Sequence, residues 1–182
     1  MKQRGLIVTG TRGAGKTTIV VLLSERLEIC VPVPAVTTRP SRSDDRAGAY
    51  EYATMARFAE LSSSGALFVE ANYSGYEYGI EHAEVRAILA RQQIPVMTIT
   101  PKLAVQVAHS RQHGTWLPVF VDSPDELLDR RLADDGRPAT QEDRLQRVAD
   151  REFRQPPLVL VENAGAIETA VDQIEELLHS ER

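Results

Sequence analysis

The stretch Leu6-Ile7-Val8-Thr9-Gly10-Thr11-Arg12-Gly13-Ala14-Gly15-Lys16-Thr17-Thr18 decides how the rest of the chain is read. A short apolar run stops at a glycine, and Gly10 to Thr17 then follow G-x-x-x-x-G-K-[ST] without a mismatch. From Thr17 to Leu27 the apolar residues Ile19, Val20, Leu22, Leu23 and Leu27 recur at helical spacing. Strand, glycine-rich turn and helix, in that order, are what a phosphate-binding loop needs. The glycines let backbone N–H groups wrap phosphates with no Cβ in the way. The helix N-terminus adds its partial positive charge. The expected nucleotide-binding set is Gly10, Thr11, Arg12, Gly13, Ala14, Gly15, Lys16, Thr17 and Thr18, with Lys16 reaching the β- and γ-phosphates and the Thr17 hydroxyl on Mg²⁺. No N-K-x-D base-reading motif accompanies the loop, so ATP is expected rather than GTP.

Outward from this loop, short apolar runs alternate with helical patterns, the sign of an α/β fold with a parallel sheet flanked by helices. Strands are expected at Ile94 to Thr100, Leu117 to Val121 and Leu158 to Val161, and helices at about 82–92, 124–133, 141–153 and 166–179. Two segments break the rhythm. Ala35 to Ile80 reads as a small antiparallel insert with a short helix near Met55 to Leu61 and an extended Leu67 to Asn72. Residues 134–141 hold Gly136, Arg137 and Pro138 between two arginine-bearing helices and read as a lid. One domain over 1–182 is expected, with a core of 1–34 and 81–182 around the 35–80 insert.

Composition narrows the partners. The formal charge of −5 argues against a nucleic acid polymer, while arginines gathered at 39–46 and 130–154 suit a small anion. Cys30 is the single cysteine, which excludes an internal disulfide and a cysteine-rich metal site. No apolar stretch approaches the roughly 20 residues of a membrane span, and Met1-Lys2-Gln3-Arg4 opens no signal peptide. A cytoplasmic location is expected. Oligomeric state is not legible. Trp116 and the loop from His109 to Thr115 suggest no role, and His82 and His113 read as surface residues.

With the loop, Thr37-Thr38-Arg39-Pro40-Ser41-Arg42 makes the chain resemble the guanylate-kinase family of P-loop nucleoside monophosphate kinases, over nearly its full length. The resemblance implies a P-loop kinase fold with an acceptor-binding insert and a lid. It implies that Arg39, Arg42, Tyr50 and Tyr78 hold the acceptor's phosphate, and that lid arginines among Arg131, Arg137, Arg144 and Arg147 close over the transferring group. Planar paired donors and phenol hydroxyls suit a phosphate. Glu70 matches the guanine-reading glutamate of the family.

Departures gather around the acceptor's base. Ala35 and Ile80 stand where the family carries hydroxyl side chains, and Thr98-Ile99-Thr100 stands where it carries D-I-D. Lys102 turns that neighbourhood from acidic to basic, so Thr98, Thr100 and Lys102 belong with the expected acceptor site. Three readings stay open. The first is ATP-dependent phosphoryl transfer to the phosphate of a GMP-like nucleoside monophosphate. The second keeps the reaction with another acceptor, as in the related ribose 1,5-bisphosphate phosphokinases. The third is a non-catalytic guanylate-kinase-like binding module.

Overall fold

The structure, a computed structural model, describes residues 4–43, 45–110 and 114–180. His113 therefore lies outside the described residues. In chain order the first elements are β1 (Arg4–Gly10), α1 (Lys16–Arg26), β2 (Cys30–Pro32), β3 (Ala35–Thr37), β4 (Tyr50–Tyr52), α2 (Met55–Ser63), β5 (Leu67–Tyr73) and β6 (Tyr76–Glu81). They are followed by α3 (His82–Ala90), β7 (Ile94–Thr98), α4 (Pro101–His109), β8 (Thr115–Asp122), α5 (Asp125–Asp134), α6 (Gln141–Arg151), β9 (Val159–Glu162) and α7 (Ile167–Ser180). The chain divides into two compact units, Met1–Cys30 with Val96–Arg182, and Val31–Pro95.

The first unit is organised by a five-stranded sheet in the order β2-β7-β1-β8-β9. The β1–β7, β1–β8 and β8–β9 pairs are parallel, as the alternating pattern predicts. Parallel strands covered on both faces are apolar along their length rather than alternating. Leu6, Ile7 and Val8 of β1, and Val119, Phe120 and Val121 of β8, are accordingly shut from solvent. Ile19 and Leu23 of α1 and Ala170, Val171 and Ile174 of α7 complete this core. Each such aliphatic side chain contributes about 1.5–3 kcal/mol by its burial. α6 begins with a capping box, in which the Thr140 hydroxyl accepts from the Asp143 N–H and the Asp143 carboxylate accepts from the Thr140 N–H.

Neither α4 nor β2 follows from the sequence reading. α4 starts at Pro101, a residue that reads as a stop but is tolerated at a first helical position, where its missing N–H has no partner to lose. Pro101, Ala104 and Val107 then bury one face at a spacing of three. β2 is a three-residue edge strand, too short to show a period.

The second unit carries a four-stranded sheet in the order β4-β3-β6-β5. It is mixed, not antiparallel as expected, because β4 runs parallel to β3. A parallel pair needs a long connection, and the 38–49 segment with its arginines supplies it. β5 and β6 form a hairpin closed by Ser74 and Gly75, both with positive φ (51° and 79°), the conformation of a tight primed turn. α2, capped by the Thr54 hydroxyl on the Arg57 N–H, lays Phe58 and Leu61 on Val36 over one face of this sheet. His82 is not a plain surface residue: its ring meets Phe68 edge-on at 5.3 Å. Among the described residues no helix is long and apolar enough to cross a membrane.

Candidate active site

The loop between β1 and α1 has the geometry its glycines foretell. Gly10 has φ 134°, and a Cβ there would land on the Val121 carbonyl of β8. Gly15 caps α1 in the left-handed region (φ 85°), where a Cβ would press on the Asn163 amide. That amide is itself a support, donating to the Ala14 carbonyl at 2.9 Å. Lys16 Nζ donates to the carbonyls of Gly10 (2.9 Å) and Thr11 (2.7 Å), so the ammonium is held within the loop. Burial there pushes its pKa down to about 8, against the opposing pull of Asp150. Thr17 and Thr18 open to solvent at the helix start.

α6 faces this loop along one stripe. Asp143, Arg147, the neighbours Asp150 and Arg151, and Arg154 recur at steps of three or four, which places them on one side of the helix and its continuation. Asp143 pairs with Arg12 of the loop. At the other end Arg151 donates from Nε (2.9 Å) and Nη2 (3.2 Å), and Arg154 from Nη1 (2.9 Å), to the carboxylate of Asp122. Asp122, at the end of β8, also accepts from the Thr11 hydroxyl at 2.9 Å. Burial alone would raise its pKa, but Arg151, the Ser123 N–H and Thr11 outweigh that and hold it below the usual carboxylate range. Both ends of the stripe are thus tied to the loop.

Between those ties lies Arg147, 1% exposed. Its Nη1 donates to Asp129 at 2.6 Å, while Nε and Nη2 are buried without a hydrogen-bond partner. Leaving buried donors unmatched costs about 1–3 kcal/mol each, so the arrangement points to an anion as the missing acceptor. The other expected lid arginines are differently occupied. Arg131 donates to the Ser123 hydroxyl (3.1 Å) and the Asn163 carbonyl (3.0 Å). Arg144 is 61% exposed and bound to Asp129, and Arg137, in the turn after α5, is 44% exposed beside Asp135. Arg154 belongs to the Asp122 cluster.

In the second unit Arg39 is 4% exposed although charged. Its Nη1 and Nη2 grip Asp45 at 3.0 and 2.7 Å, and its guanidinium lies 5.0 Å over the Tyr50 ring. The Tyr52 hydroxyl and the Arg42 N–H also donate to Asp45, each at 2.7 Å. The Asp45 hydrogen bonds, first of all from Arg39, hold its carboxyl far below the usual range. Tyr78 adds to the favourable surroundings of Arg39. Arg39, Tyr50 and Tyr78 therefore cluster, with Arg42 joining through its backbone and an exposed side chain. One carboxylate takes donors of the kind a phosphate would take.

Glu70 is not part of this cluster. It pairs with Gly79, and Ala71 pairs with Tyr78. Neighbouring strand residues alternate faces, so Glu70 lies with Val36 and Gly79 on the α2 side, opposite Tyr78. Thr98, Thr100 and Lys102 belong to the other compact unit. Thr98 ends β7 beside Val8, Thr100 precedes α4, and Lys102 is exposed on its first turn. The Thr9 hydroxyl donates to the Ile99 carbonyl at 2.7 Å, tying that strand end to β1.

Sequence reading missed Asp45, Asp122, Asp143, Asn163 and Arg151. Asp45 had a usable signal, lying within the arginine-rich 39–46 segment. The others act through folding, at sequence distances of 29 to 149 residues from their partners. Among the described residues no group of three or more His, Cys, Asp or Glu could hold a metal ion. That still fits Mg²⁺, which keeps several waters and needs few protein ligands when nucleotide phosphates supply the rest; Thr17, the residue expected to hold it, is exposed at the start of α1.

Comparisons with known proteins bear on the chain as a whole. The family model described as guanylate kinase matches residues 2–181. A guanylate kinase of Anaeromyxobacter dehalogenans is 35% identical over 70% of this chain, although the matched part spans only 57% of that relative's length. One from a Synechococcus species is 31% identical over 97% of this chain and 94% of its own. In fold, the crystal structure of guanylate kinase from Anaplasma phagocytophilum superposes with a TM-score of 0.76 at 22% identity, covering 99% of this chain and 86% of that one. From the loop to the last helix, this chain belongs to the guanylate kinase family.

Proposed function

We propose that the protein is a kinase that moves the γ-phosphoryl group of ATP onto the phosphate of a small acceptor, a nucleoside monophosphate of the GMP type. The relatives are named for guanylate, which makes GMP the first acceptor to test. The observation that carries the reading is the buried guanidinium of Arg147. It has two unmatched donors and stands on a helix stripe tied at both ends to the phosphate-binding loop. A non-catalytic module would have no use for such donors beside an intact loop.

An acceptor phosphate oxygen attacks the γ-phosphorus, the bond to the bridging oxygen breaks, and ADP leaves with that electron pair. The nucleophile is anionic at neutral pH, so no general base is required. Phosphoryl transfer depends on positioning and on stabilising charge over the transferring group. Lys16 would meet the β- and γ-oxygens in place of the two loop carbonyls it now contacts. Arg147 would donate to the transferring group. Mg²⁺, when bound, would neutralise β- and γ-phosphate charge. Arg39, stacked on Tyr50, would hold the acceptor's phosphate together with Tyr78 and the side chain of Arg42.

An ADP-release assay with ATP, Mg²⁺ and GMP, run on wild type, Lys16→Ala and Arg147→Ala, tests this. Turnover in wild type that collapses in both variants is expected. Near-wild-type turnover in either variant would remove that residue from the mechanism, and silence in wild type across phosphorylated acceptors would sink the kinase reading.

A further inference from the structure

All five tyrosines of the chain lie on one face of one small sheet. Tyr50 pairs with Ala35 and Tyr52 with Thr37. Thr37 pairs in turn with Tyr78, and Tyr78 with Ala71. Tyr73 pairs with Tyr76. Paired residues share a face, and so do alternate residues along a strand, so these pairings put Tyr50, Tyr52, Tyr73, Tyr76 and Tyr78 together. Ring contacts agree: Tyr50 and Tyr52 lie 6.2 Å apart, and Tyr73 meets Tyr78 edge-on at 6.4 Å. Arg39 lies over Tyr50 on this face. Tyr52, Tyr73 and Tyr76 keep 43%, 39% and 37% of their surface exposed, a large apolar area to leave in water. Of the remaining side chains of the face, Ala35, Val69, Ala71 and Ile80 offer no hydrogen-bonding group, and the Thr37 hydroxyl is buried and donates to the Glu77 carbonyl at 2.9 Å. The carboxylate and amide residues of β5 and β6, which are Glu70, Asn72, Glu77 and Glu81, point to the opposite face, where Asn72 donates to Glu77 at 2.8 Å.

We infer that this tyrosine face holds the acceptor's base by stacking and leaves its hydrogen-bonding edge unread, so that the protein accepts nucleoside monophosphates of several bases. The inference rests on the kinase reading for its ligand class and goes beyond it in substrate range. A buried polar group that reads a base edge rejects the wrong partner by large factors, because the mismatch leaves it unpaired. Stacking discriminates little, since every base presents a π-face. A carboxylate on the far side of the sheet cannot read a base lying on this side. Arg39 and its neighbours anchor the phosphate whichever base follows it.

The test is calorimetric binding without ATP, using GMP, AMP, CMP and the base-less ribose 5-phosphate. The three nucleotides should bind within about tenfold of one another, and ribose 5-phosphate at least about tenfold more weakly, the factor one stacked base supplies. Glu70→Gln should leave GMP affinity unchanged. Tyr76→Leu should weaken all three nucleotides by a similar factor and spare ribose 5-phosphate, while Tyr76→Phe, which keeps the ring, should bind as wild type does. A selective loss confined to the nucleotides separates this outcome from general damage to the hairpin. A wider spread among bases, a GMP-selective loss in Glu70→Gln, ribose 5-phosphate binding as well as the nucleotides, or no nucleotide binding at all would each overturn the inference. Turnover is scored separately. Absence of ADP release with every acceptor would refute phosphoryl transfer, and the binding ratios would still decide the question of the base.

Discussion

The phosphate-binding loop and the tyrosine-bearing sheet hold the two expected phosphates by different means. The loop works with backbone: its N–H groups, its glycine conformations and the start of α1 make the site, and side chains from β8, α6 and the 163 turn only brace it. The sheet works with side chains alone, and which of them reach the acceptor depends on strand register. A one-residue shift in register would exchange Tyr78 for Gly79 and Ala71 for Glu70. Backbone sites therefore survive as readable motifs, whereas a side-chain site can keep every familiar residue and still aim one of them elsewhere.

The sharpest way to break this contrast is at the loop. Lys16→Ala should lower kcat by about 10²-fold or more, the loss typical of one preorganised donor to developing charge, with a thermal transition no lower than that of wild type near neutral pH, since burial disfavours the Lys16 ammonium. Arg147→Ala should follow closely, while Arg144→Ala on the same helix should stay within a few-fold. Equal losses in both would mean that exposure and unmatched donors do not identify the acting arginine. At the sheet, Arg39→Lys should raise the acceptor KM by roughly ten- to a hundredfold, the value of a charged hydrogen bond, with kcat largely kept. A lysine cannot reproduce the paired fork or lie flat on Tyr50. Asp45→Asn should give a smaller effect in the other direction. It removes a carboxylate that competes for the Arg39 fork, so the acceptor KM should fall by a few-fold; a rise would make Asp45 a support for Arg39 rather than a competitor.

A pH series sharpens the loop side further. With the Lys16 pKa lowered to about 8, the ammonium loses its charge in the nucleotide-free protein as pH rises through that value. Bound phosphates favour the charged form, so ATP affinity should fall above about pH 8, with proton uptake on binding visible by calorimetry in two buffers. The sign for stability is opposite. Between about pH 8 and the ordinary lysine value of 10.5, the unfolded chain binds more protons than the folded one, so this group's contribution to stability rises with pH. Lys16→Met should abolish both slopes.

Much of this protein was legible in its residues. The loop, the strands β1, β7, β8 and β9 of a parallel sheet, and the positions of α1, α5, α6 and α7 follow from patterns carried within ten or twenty residues, because backbone conformation and amphipathic spacing are local properties. Arg39, Tyr50 and Tyr78 were expected together only from the family resemblance. What only the tertiary structure decided are relations between distant side chains. Asp122 binds Thr11 and Arg151 across 111 and 29 residues. Of the candidate lid arginines, Arg147 alone is both buried and left with unmatched donors. The pairing of Ala71 with Tyr78 puts Glu70 on the opposite face of the sheet from Tyr78. The face a strand residue occupies and the burial a charge suffers are set by what packs against them, and neither is written in any single stretch of the chain.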